Sequence, residues 1–138
     1  MKITVSTVIA APLRDVWQRY TTPEDIKAWN TASVDWHTTS AAVDLRPGGR
    51  FSSRMEAKDG SFGFDFAGEY TEVLPMQRIA YTFGEREGVV EFVEGADGVT
   101  VIVTFDSEPA HPEEQQRSGW QAILDSFARH VKGHLALE

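Results

Sequence analysis

The sequence contains no cysteine. That excludes a disulfide framework, a thiolate metal site and a cysteine nucleophile. No apolar run approaches the ~18 residues that cross a bilayer, so membrane insertion is not expected. The first residues alternate apolar and polar and form no continuous apolar segment of the kind a signal peptide needs. Basic residues are the minority: 13 against 21 acids give a formal net charge of −8. Tight binding to a phosphate backbone needs a basic patch, and only Arg46, Arg50 and Arg54 stand close together, so nucleic acid is not an expected partner. No G-x-S-x-G turn presents a serine nucleophile. There is no linker, repeat or low-complexity tract. These absences fit a cytoplasmic protein with one domain over residues 1–138. The terminal pair Leu137-Glu138 is assigned no meaning.

What is present is an ordered series of elements. Lys2 to Ile9 alternates and carries β-branched residues, which predicts a strand. The pattern then changes period. Pro12 suits a first helical turn, and Leu13, Val16, Trp17 and Tyr20 fall on one helix face. Thr22-Pro23-Glu24-Asp25 starts a second short helix to about Trp29, with Thr22 as the cap and Pro23 at its first position. From Val34 to Phe105 the chain reads as strands: Val34–His37, Ala42–Leu45, Arg50–Ala57, Phe64–Leu74, Arg78–Gly84, Val89–Glu94 and Val99–Phe105. Turn residues separate them, in "KDGS", "LPMQ", "EREG" and "EGADG". Sequential short hairpins predict an antiparallel sheet. A long helix closes the chain: Pro112 opens it, and Trp120, Ile123, Leu124, Phe127 and Val131 make its apolar stripe. Gly133 is the expected stop, with His130 and Lys132 near the negative end.

The stretch "DLRPGGRF" poses a choice between a phosphate loop and a turn. A phosphate loop sets its glycines between a strand and a helix N-terminus. This one lies between two strands, and no GK[ST] follows. Pro47 and Gly48 are what the middle of a type II turn requires. The three arginines around it are then expected to solvate a strand surface, with local capture of an anionic ligand as the alternative.

The order of strand, two short helices, antiparallel strands and a long amphipathic helix is matched by longer segments. These are "IAAPLRDVWQRYTTPEDIKAWN", "DWHTTSAAVDLRPGGRFSSRMEAKDGSFGFDFAGEYTEVLPMQRIAYTF" and "HPEEQQRSGWQAILDSFARHV". On them the chain resembles the START-like (Bet v 1-like, SRPBCC) superfamily, and within it the branch named after the C-terminal domain of the Hsp90 ATPase activator Aha1. The "GEYTEVLPMQRI" hairpin and the "GW" and "LDSF" of the last helix carry most of the specificity. The resemblance implies an α+β helix-grip fold, a curved antiparallel sheet around the C-terminal helix with a cavity between them. It also implies a ligand of lipid, polyketide or hormone type, with cyclases and hydrolases as a minority on the same scaffold. The segment carries no second N-terminal domain and no long linker, so Hsp90 activation is not expected. A homodimer is left open, and no cofactor is implied.

Within that architecture Trp36, His37, Phe51, Phe64, Phe66, Tyr81, Phe83, Trp120, Leu124 and Phe127 are the candidates for lining the cavity, His37 as a polar contact at its mouth. Affinity would come from buried apolar area at ~25 cal/mol per Å². Each of these rings could equally fill an ordinary core. A cyclase or hydrolase would need a group such as Tyr81, His37 or a buried acid in the cavity. A protein-interaction module would instead show an exposed apolar patch. Asp65 and Glu69 share one strand face, but Phe64 and Phe66 need the other, so the two acids are expected to face water unless a bulge near Gly68 changes the register. His130 and His134 have the i, i+4 spacing of a metal pair, yet no acidic third ligand is near in sequence, and the expected reading is a solvated helix end with no metal.

Overall fold

The computed structural model describes residues 1–135, so the Leu137-Glu138 pair lies outside the described residues. Seven strands form one antiparallel sheet: β1 (Lys2–Ile9), β2 (Trp36–Val43), β3 (Arg50–Ala57), β4 (Gly63–Leu74), β5 (Arg78–Phe83), β6 (Arg86–Gly95) and β7 (Gly98–Asp106). Their order is β1-β7-β6-β5-β4-β3-β2. Every neighbour except β1 and β7 is joined by a hairpin, so the sheet is a meander closed on one side by β1. Two short helices, α1 (Leu13–Thr21) and α2 (Pro23–Trp29), carry the chain from β1 to the far edge at β2. The last helix, α3 (Glu113–Leu135), lies in the concave face of the curled sheet, which is the helix-grip α+β arrangement.

Period-2 alternation decides which side chains face α3. In β7, Val99, Val101, Val103 and Phe105 are all at most 4% exposed, and their neighbours in β1, Ile3, Val5 and Ile9, match them. Phe127, Ala128 and Val131 of α3 complete this half of the core. On the β2–β4 side the inward residues Phe51, Met55 and Phe66 are only half-buried. The sheet is thus packed on one side and open on the other.

Three expectations about local structure are corrected. Val34–His37 and Ala42–Leu45 are not two strands. One strand runs through, with a bulge between Thr38 and Ser40 that switches the parity of inward residues and breaks the alternation in the sequence. Thr22 makes no side-chain cap for α2, because its Oγ1 donates to Gln18 O at 2.7 Å and finishes α1 instead. Gly133 does not stop α3, which continues through it in helical conformation to Leu135. The bulge in β4 falls at Thr71, between Tyr70 and Glu72, and so Asp65 and Glu69 keep the outer face beside Arg54 and Arg50.

The "RPGG" segment is a turn. Gly49 N–H donates to Arg46 O at 2.8 Å across Pro47 and Gly48, and Gly48 has φ +83°. Arg46, Arg50 and Arg54 each pair with an acid, Asp44, Glu69 and Glu56 respectively. A Cβ on Gly48 would meet nothing within 4 Å, so a side chain there costs only backbone strain. Gly48→Ala should therefore lose about 1 kcal/mol in urea unfolding. An unchanged midpoint would contradict the turn geometry.

Candidate functional site

A chamber of about 560 Å³ lies between α3 and the open half of the sheet. Its floor is built from the inward positions of four adjacent strands: Phe51 on β3, Phe64, Phe66 and Tyr70 on β4, Tyr81 on β5, Val90 on β6. Trp120, Ile123 and Leu124 of α3 form its roof, and Trp29 and Ile26 of α2 close one end. Ala32, Ser33 and Phe64 line the chamber and are also exposed, so it meets solvent on that side. There Trp36, Phe62 and Phe64 form an aromatic group with centroids 5.9–6.3 Å apart.

Seven of the ten residues expected to line the cavity do so: Trp36, Phe51, Phe64, Phe66, Tyr81, Trp120 and Leu124. Three do not. His37 is exposed and outside the lining, because it follows Trp36 in β2 and consecutive strand residues point to opposite faces. Phe83 lies on the inward face but is covered by Phe66, Tyr81 and Trp120. Phe127 is fully buried one level deeper, in edge contact with Tyr20 and Trp29, both at 5.0 Å. Phe127 is core.

The lining also contains residues that pattern reading passed over. Tyr20 reaches the chamber from α1, its ring stacked on Trp29 at 4.9 Å. Tyr70 faces Tyr81 across β4 and β5. Tyr81 in turn lies over Gly88 of β6, where a Cβ would sit 2.4 Å from its ring. Only glycine leaves room for the ring to lie flat across that strand. The parity that singled out Phe64 and Phe66 would also have found Tyr70, since all three are even positions before the bulge. Arg86, by contrast, falls in the stretch "EREG" that reads as a turn, yet it is the first residue of β6 and points inward.

Burial raises the pKa of all three tyrosines, Tyr70 up to about 12, with Asp44 as the smaller cause there. Tyr20 and Tyr81 are likewise shifted upward, first by burial and then by the neighbouring tyrosines. The hydroxyls therefore stay neutral and available as donors at ordinary pH. A raised folded-state pKa means that stability is intact below about pH 10, where unfolded tyrosine begins to ionise, and falls as pH rises toward 12. Alkaline unfolding should begin in that window, and tyrosinate absorbance should appear together with loss of structure. Tyrosinate formation in the intact fold near pH 10 would contradict the burial.

A second polar group lies behind the chamber. Asp25 Oδ1 is 2.7 Å from His130 Nε2 and accepts from Arg19 at 3.1 Å, with His134 stacked edge-on to His130. The expected solvated helix end is thus corrected: the carboxylate that His130 meets comes from 105 residues earlier in the chain. The ligand atoms of Asp25, His130 and His134 lie within 4.8 Å of one another. Arg19 already compensates the Asp25 charge, and the cluster joins α1, α2 and α3.

The comparisons with known proteins agree with this geometry. The sequence profile of the family described as Activator of Hsp90 ATPase homolog 1-like protein matches residues 10–132. The solution NMR structure of an AHSA1-like protein from Aeromonas hydrophila is 45% identical with a TM-score of 0.92, over 100% of this chain and 96% of that one. A protein from Cytophaga hutchinsonii is 40% identical with a TM-score of 0.83, over 99% and 96% of the two chains. A third, from Nitrosomonas europaea, is 22% identical over 99% and 97%, with a TM-score of 0.84, and shares the fold. A comparison with curated proteins finds no match.

Proposed function

This chain belongs to the family of Activator of Hsp90 ATPase homolog 1-like proteins, and on that premise we propose that it binds a small, largely apolar molecule in the chamber between its sheet and α3. The family's fold is of the ligand-binding type. The observation that carries the reading is the lining: aromatic and aliphatic side chains on three walls, with a few hydroxyls, in a volume of the size that holds small ligands. Such a molecule would gain affinity from the apolar area it removes from water.

Acid–base catalysis in the chamber is less well supported. Among the described residues the lining holds no carboxylate and no imidazole, and Arg86 is its charged side chain. The tyrosines are shifted away from neutral pH, the opposite of what a general acid or base needs.

The test has two parts. Native mass spectrometry of the purified protein should show a co-purified small molecule. N-phenylnaphthylamine, a neutral apolar dye, should brighten on addition to stripped protein and raise its melting temperature. Absence of both a bound mass and a dye response would overturn the proposal.

A further inference from the structure

The apolar chamber has one charged corner. Arg86 opens β6 and shares the inward face with Gly88 and Val90, because alternate strand residues share a face. Its Nε donates to Asp106 O at 2.9 Å, and its guanidinium carbon stands 4.6 Å over the Phe83 ring. These contacts hold the group in place while leaving its two terminal nitrogens. The neighbouring acids do not neutralise it. Glu85 and Glu87 are exposed, and the Asp106 carboxylate is held by Lys2 at 2.8 Å and by Glu87 N–H. Among the described residues no carboxylate is within ion-pair distance of Arg86.

Beside this cation stands Tyr81, whose ring centroid is 5.6 Å from that of Phe83, the ring under the guanidinium. Tyr70, directly across the strand pair from Tyr81, and Tyr20 line the same chamber. No hydrogen bond from the described residues satisfies the hydroxyl of Tyr81, a residue only 8% exposed that lines the chamber. A half-buried cation and a neutral donor that lose their contact with water are costly beside a purely apolar molecule. The same groups are complementary to a single oxyanion, which guanidinium and hydroxyl donors can bind together.

We infer that the chamber's ligand is an amphipathic acid, an apolar body with one carboxylate head, and that Arg86 with the Tyr81 hydroxyl anchors the head while the aromatic lining holds the body. This rests on the reading of the chamber as a ligand site and adds the ligand's class. It also fixes polarity: the tail points from Arg86 along the lining toward Trp36 and Phe64.

Decanoate and decanol differ only in the head group and separate the two ideas. At neutral pH decanoate should displace N-phenylnaphthylamine about tenfold more tightly than decanol, the scale of a charge-assisted hydrogen bond. In Arg86→Gln the ratio should fall to about one, and in Arg86→Lys part of the preference should remain. Equal affinities in the wild-type protein would overturn the anchor while leaving the apolar chamber intact, and that comparison needs no variant to fold. A preference for decanoate that survives Arg86→Gln would equally overturn it. If the dye itself does not bind, the chamber reading fails and the anchor with it.

Discussion

Phe127→Ala should lose about 3–5 kcal/mol of stability, read from urea unfolding, and should leave dye affinity in the chamber little changed. Phe127 is 0% exposed and wedged between Tyr20 and Trp29, with centroids at 5.0 Å from both. It sits seven residues after Trp120 on the same helix face, yet only Trp120 borders the chamber. Its truncation leaves a void among aromatic rings that the surrounding helices cannot fill. Enlarging the side chain to Trp should also destabilise, by about 1–3 kcal/mol, because there is no free volume around it. A near-neutral Phe127→Ala would mean that the chamber extends past Trp29 to the far end of α3.

Gly119→Phe should move two observables in opposite directions. Gly119 lies in α3 and borders the chamber, four residues before the lining residue Ile123 and hence on the same face. A Cβ there would meet nothing within 4 Å. Replacing a mid-helix glycine removes a conformational cost, so the melting temperature should rise, by the equivalent of about 0.5 kcal/mol. The ring would occupy ligand space, and dye affinity should fall by at least about tenfold. Loss of stability without loss of binding would place the open space at Gly119 outside the chamber.

The two variants mark what could be read from the sequence. Alternation along β3, β4 and β5 and the stripe on α3 are enough to name Phe51, Phe64, Phe66, Tyr81, Trp120 and Leu124 as inward residues. Periodicity reports the face and not the depth along it. Phe83 and Phe127 satisfy the same pattern and are covered by neighbours that come from elsewhere in the chain. His37 could not share the chamber with Trp36, since the two are consecutive in one strand already legible in the sequence. The bulge after Thr38 concealed that this strand runs on to Val43. Asp25 and His130 are brought together by the packing of α2 against α3, which no local spacing encodes. Arg86 was hidden by the shortness of its turn. The hairpin bends on Gly84 and Glu85 alone, so the strand begins at Arg86 and the alternation already applies to it.

The uneven packing of the sheet divides the protein into two regions of different cooperativity. Strands β1 and β7 share a closed core with α3, and their amides should open only when the whole molecule unfolds. Strands β2, β3 and β4 face a space that their own side chains leave unfilled, so they have fewer apolar contacts to lose in a partial opening. A molecule held in the chamber would supply those contacts from outside the chain. It would stabilise the folded state by about 2.7 kcal/mol at a hundred times its dissociation constant, and the gain would fall on the strands that lack it. Part of the hydrophobic core would then be a diffusible component, and the persistence of the β2–β4 region would follow the concentration of that component.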